Sequence, residues 1–92
     1  MIPCTEVLTE SGSVYYIDPD ACRVYRSSTI PMEVESDFRT EDEKTGRWRE
    51  FTAALMPILQ DGSRCLMIFY PDGTASTSTR IVTVNELVEV DL

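Results

Sequence analysis

TESGSVYYIDPDACRVYR, residues 9–26, decides the fold. Two short runs rich in aromatic and β-branched residues, SVYYI (13–17) and CRVYRSS (22–28), stand between clusters of turn residues. That pattern marks β-strands rather than helices. The Ser11-Gly12-Ser13 corner suits a tight turn, because Gly12 can adopt positive φ without steric cost. Asp18-Pro19-Asp20-Ala21 is a second turn, in which Pro19 pre-sets φ at the second position of a type I turn. Val24 alternates with Arg23 and Tyr25, as in a half-exposed antiparallel strand.

The same grammar extends in both directions. CTEVLTE (4–10) precedes the first turn as a strand. TIPMEVES (29–36) suits a short edge strand, since Pro31 cannot donate to a ladder. ESDFRTEDEKTG (35–46) is polar and charged and reads as an exposed acidic loop. RWREFTAAL (47–55) supports two readings. Trp48, Phe51, Leu55 and Leu59 recur at helical spacing, and Thr40 to Glu43 resembles a capping box. Pro57 and Gly46 oppose a helix near 47–56 and favour a strand. PILQDGS (57–63) ends in the Asp-Gly hairpin signal. RCLMIFY (64–70) is apolar on both faces and reads as the most buried strand. PDGT (71–74) is a further turn, ASTSTRIVTV (75–84) a strand, and NELVEVDL (85–92) a separate short terminal strand.

The sum is an all-β single domain over residues 1–92, with six to seven short strands. A small antiparallel roll or partly open barrel covers its own edges best at this length. The predicted core is Val7, Tyr15, Ile17, Val24, Trp48, Phe51, Leu66, Ile68, one of Ile81 and Val82, and Val84. On this reading Arg47 and Arg49 emerge on the face opposite Trp48. A chain of 92 residues buries only about 60–65% of its unfolded surface, so one modest core is the limit.

Charge narrows the function. The formal net charge is −8 and there is no histidine. Excess negative charge disfavours nucleic acid and anionic membranes as partners and favours basic protein surfaces. Without histidine, no Ser-His-Asp or Cys-His device can form within the chain. No P-loop, nucleophile elbow, zincin helix or dinucleotide fingerprint occurs. The chain is therefore expected not to be an enzyme and to need no cofactor. No apolar run reaches transmembrane length, and MIPCTEV lacks the basic and apolar parts of a signal peptide, so a cytoplasmic protein is expected.

Several constellations invite sharper readings. Asp18 and Asp20 could pair on a cation, but calcium needs six to eight oxygens and Ala21 and Cys22 follow instead. Turn formation explains both aspartates more simply. Cys4, Cys22 and Cys65 form no C-x-x-C pair, and mostly buried, reduced thiols account for them better than a metal site or an intersubunit disulfide. Glu33, Glu35, Asp37, Glu41, Asp42 and Glu43 gather six acids in eleven residues. An extended 33–37 would line up three carboxylates about 6.6 Å apart, a loose imitation of phosphates spaced about 3.4 Å along each DNA strand. Arg39 and Lys44 interrupt that field. The tyrosines could stack bases, but such platforms sit in basic grooves. Aromatic residues and arginines instead suit a protein partner. Tyr16, Arg23 and Tyr25 on the outward face, with Glu33, Glu35 and Asp37, are the candidate partner-binding residues.

Ser11, Gly12, Ser13, Tyr15, Ile17 and Asp18 belong to a wider pattern. So do Arg23, Val24 and Arg26, then Trp48 after a charged loop, and finally Thr79, Ile81 and Val82. In these positions the chain resembles a group of small β proteins of actinobacteria and actinobacteriophages. The likeness covers about half the chain and rests on structural residues. The three cysteines and Ala53-Ala54-Leu55-Met56 depart from the pattern. The resemblance implies no particular activity. It implies an origin, a phage accessory protein acting in the bacterial host cytoplasm. With no catalytic device, a small domain and an acidic charge, the expected task is to bind and modulate a host protein. A free edge strand leaves monomer and homodimer equally open. An acidic DNA mimic and a minor structural or assembly protein are the alternatives, with a ligand-sequestering barrel behind them.

Overall fold

Three turns of one kind set the sheet. Gly12 N–H donates to Thr9 O at 3.0 Å, Gly62 N–H to Leu59 O at 2.9 Å and Gly73 N–H to Tyr70 O at 3.0 Å. In each, a β-turn is followed by a glycine at positive φ, the three-residue hairpin loop whose twist matches the flanking strands. At Gly62 (φ 87°) and Gly73 (φ 90°) any side chain would be strained despite open space around the Cα. Asp61 and Asp72 complete their turns by accepting from the amides of Ser63 (3.0 Å) and Thr74 (2.9 Å). The Asp-Gly and Pro-Asp-Gly signals thus act through their predicted chemistry.

The computed structural model describes residues 2–28 and 47–91. Seven strands carry them: β1 (Ile2–Thr9), β2 (Ser13–Asp18), β3 (Arg23–Ser28), β4 (Trp48–Glu50), β5 (Ala53–Leu55), β6 (Cys65–Phe69) and β7 (Ala75–Val90). All pair antiparallel in the order β4-β3-β2-β1-β7-β6-β5. The two outermost strands are consecutive in the chain. The sheet therefore curls until its ends meet at Phe51 and Thr52, giving a half-barrel and bearing out the all-β, partly open barrel expected from sequence. Phe51 N–H donates to Cys22 O beside β3 at 2.9 Å, and Thr52 N–H donates to Phe69 O on β6 at 2.7 Å. The ambiguous segment 47–55 is thus neither a helix nor one strand. It is two three-residue strands bent at the seam.

The predicted strands 75–84 and 85–92 are also corrected. They form one strand, β7, which pairs with β6 through its first half and with β1 through its second. Three register shifts make this possible, between Cys65 and Met67, Leu8 and Thr9, and Cys4 and Glu6. Each places the extra residue on β7, and each bulge bends and twists the strand further. At the first, the Leu66 amide leaves the ladder and donates to Ser78 Oγ at 2.9 Å.

The core is Val7, Tyr15, Ile17, Val24, Phe51, Leu66, Ile68 and Tyr70, with Ala54, Met56 and Ile81 packed against it. Of Ile81 and Val82, Ile81 is the one that packs on the core, whereas Val82 is the extra residue of a bulge and stays 57% exposed. Two predicted core residues lie elsewhere. Val84 pairs with Val7 but stays 40% exposed. Trp48 is only half-buried. Its register explains why: Trp48 sits opposite Tyr25, and Arg49 sits opposite core Val24. Directly paired residues share a face, so Arg49 turns inward and Trp48 outward, the reverse of the sequence expectation. The proposed edge strand 29–36 and acidic loop 35–46 lie outside the described residues.

Candidate functional site

The outer face of β2, β3 and β4 carries the aromatic row. The ladder sets Trp48 opposite Tyr25, Tyr25 opposite Tyr16, and Tyr16 opposite Glu6. Tyr25 and Trp48 meet edge to face, with ring centroids 5.5 Å apart and planes at 64°, a favourable geometry for aromatic pairs. The Arg23 guanidinium lies over the indole, 4.4 Å from its centroid, in cation–π contact. Tyr16 is hydrogen-bonded to Glu6, and Asn85 Nδ2 donates to Glu6 Oε1 at 3.0 Å. Burial, the Glu6 charge and that bond together push the Tyr16 phenol above its usual pKa.

Asp18 anchors this row. Its side chain is 8% exposed, and its Oδ2 accepts from Arg23 Nε at 3.1 Å. Its Oδ1 accepts from the Ala21 amide, three residues on, at 3.3 Å, which ties the side chain to the loop backbone. Arg23 is thus held between a carboxylate and an indole, which limits its rotamer freedom before any partner arrives. Both oxygens of Asp18 are engaged within the turn, and Asp20 is exposed. Among the described residues no group of three or more histidine, cysteine or acidic side chains could hold a metal ion.

The predicted residues Tyr16, Arg23 and Tyr25 therefore come together on one face. Glu33, Glu35 and Asp37 lie outside the described residues. Sequence reasoning missed Trp48 as a member of the row by placing it in the core. The strict alternation of Tyr25 with core Val24 carried a signal, but only once β4 was registered against β3.

The cysteines separate by environment. Cys4 and Cys65 are buried, whereas Cys22 is exposed at the end of the Pro19-containing loop, with φ 54°. Two of the three free thiols are thus buried, in keeping with the expectation of mostly buried, reduced cysteines, and Cys22 is the exception. A non-glycine residue in the left-handed region is uncommon, and here it lets the chain enter β3 in register. Burial, reinforced by the Asp18 charge, raises the Cys4 thiol above its usual pKa. Because only an accessible thiolate reacts quickly, iodoacetamide should add one carbamidomethyl group per native chain, at Cys22. Peptide mapping that finds Cys4 or Cys65 alkylated at a similar rate would contradict this arrangement.

The concave face holds a second group of polar side chains, apart from the outer row. Tyr15, Val24, Arg26, Arg49, Tyr70, Ser76 and Thr77 line a cavity of about 200 Å³. No described helix is long and apolar enough to cross a membrane. No family model matches the chain, and neither a curated protein nor a solved structure matches it.

Proposed function

We propose that this chain is a non-enzymatic protein-binding module, an accessory protein of phage origin that binds and modulates a protein of the bacterial host. The observation that carries the reading is the outer row of Trp48, Tyr25 and Tyr16 with Arg23 laid on the indole. Tryptophan, tyrosine and arginine dominate the binding energy of protein interfaces. Here they are packed on one another across three strands, so little conformational freedom is left to lose on binding. The phage origin rests on the sequence resemblance through Ser11–Asp18, Arg23–Arg26 and Trp48. The absence of histidine and the small size of the domain favour binding over catalysis.

The test is affinity capture from an actinobacterial lysate with the native chain, Tyr25→Ala, and a triple variant Glu33→Gln, Glu35→Gln, Asp37→Asn. The expected result is a host protein retained by the native chain and the triple variant through a salt wash, and reduced at least tenfold by Tyr25→Ala. A retained protein lost in the triple variant and released by salt would favour the DNA-mimic reading instead. A retained protein indifferent to Tyr25→Ala would remove the aromatic row from the interface.

A further inference from the structure

The cavity on the concave face is chemically unlike the rest of this acidic protein. Two guanidiniums stand at its wall, each against a tyrosine ring. Arg49 lies 3.9 Å from the Tyr70 ring centroid, and Arg26 lies 5.9 Å from that of Tyr15. Hydroxyls accompany them: Tyr70 Oη and Ser76 Oγ are hydrogen-bonded at 3.0 Å, and Thr77 lines the same space. None of the described residues lining the cavity carries a carboxylate. The adjoining rim carries the acids Glu50 and Asp72. Asp72 Oδ1 accepts from the hydroxyl and amide of Thr74, at 2.6 and 2.9 Å, and these bonds, helped by the Arg49 charge, hold its carboxyl below the usual range.

Arg49 supplies the second observation. Its Nη1 is buried and has no hydrogen-bond partner among the described residues. A buried guanidinium N–H without an acceptor is costly. The register of β4 against β3 forces this placement, because Arg49 pairs with core Val24. Nη1 itself is closed off, but Arg49 also lines the cavity, so a planar oxyanion there would meet the remaining N–H groups of the guanidinium, which can bind a carboxylate side-on. The tyrosine rings and Val24 offer an apolar wall for the rest of such a ligand.

We infer that this cavity is a carboxylate-binding site, with Arg49 as its principal donor and the one free hydroxyl proton of the Tyr70–Ser76 pair as a second. A net charge of −8 penalises a phosphate dianion more than a monoanionic carboxylate. The volume of about 200 Å³ is below the range of about 300–1,000 Å³ that holds drug-sized ligands. The occupant is therefore a small aromatic or aliphatic acid, or the carboxyl end of a peptide. The site lies on the face opposite the aromatic row, so it stands independently of the protein-binding proposal.

The experiment is a titration of the isotopically labelled chain followed by amide chemical shifts. The probes are benzoate, inorganic phosphate, and a short peptide ending in phenylalanine as free acid and as amide. Benzoate should give saturable shifts at Arg49, Tyr70 and Ser76 at concentrations up to about 10 mM, where even a millimolar site fills. Phosphate and the peptide amide should not. Saturation by the peptide acid as well extends the ligand to chain termini; saturation by benzoate alone restricts it to free acids, and both support the site. Arg49→Gln should abolish saturation, Arg49→Lys should weaken it about tenfold by losing the fork, and the exposed control Arg64→Gln should leave it intact. Absence of saturation in the native chain, phosphate binding as tight as benzoate, or unchanged binding in a folded Arg49→Gln chain would each overturn the assignment.

Discussion

Phe51→Ala is expected to cost about 3–5 kcal/mol, the range for removing a buried aromatic ring. A domain of this length is stabilised by roughly 5–15 kcal/mol in total, so the variant should sit near the edge of folding. The reason is position as well as volume. Phe51 is 9% exposed and belongs to the core, and its backbone is the seam where the first and last strands of the sheet order meet. Removing the ring leaves a void beneath the point that keeps the sheet curled. The comparison variant is Thr52→Val. Thr52 donates both its amide (2.7 Å) and its hydroxyl (3.1 Å) to Phe69 O. Valine keeps the first bond and loses the second, which should cost no more than about 1 kcal/mol. Urea unfolding followed by tryptophan fluorescence measures both. Equal losses would show that the ring does not hold the seam.

The second large effect is at Leu66. Its side chain is 1% exposed on β6, within a core that also holds Val7 and Ile68. Leu66→Ala should cost about 2–5 kcal/mol, depending on how far the cavity collapses. Val82→Ala removes a larger share of an apolar run in the sequence, yet Val82 is 57% exposed. Its cost should stay within about 0.5 kcal/mol. A Val82→Ala loss comparable to that of Leu66→Ala would mean that the second bulge of β7 is misplaced by one residue.

These two variants also show where sequence reasoning reached and where it stopped. Val7, Ile17, Val24, Leu66 and Ile68 were legible, because each strand's alternation and its neighbouring turn are local properties. The turns at Gly12, Gly62 and Gly73 were legible for the same reason. Val82 was not, because RIVTV alternates in either register and the bulge that chooses one is set by pairing with β1 far away in the chain. Trp48 and Arg49 were inverted on the same grounds. A period of two says that neighbours oppose one another, not which of them faces in. Hydrophobicity alone favoured the tryptophan, but Val24 across the ladder decided for Arg49. The joint at Phe51 and Thr52 was invisible because it depends on both ends of the sheet at once. Tyr16, Arg23 and Tyr25 were found as an outward group, whereas the concave carboxylate site follows only from the inverted register.

The place of β7 has a consequence for how the chain comes into being. Residues 75–90 fill the gap between β1 and β6, so each of those strands has one bare side until they arrive. During synthesis the hairpins β1–β2 and β2–β3 can form early, since their contacts are local. The sheet cannot close across its middle, because Ile2 waits for Val90. At about 5–20 residues per second that wait lasts several seconds on the ribosome. Throughout it, the newborn chain presents β1 with an unfilled edge to every neighbouring polypeptide, and β7 is the strand that withdraws the offer.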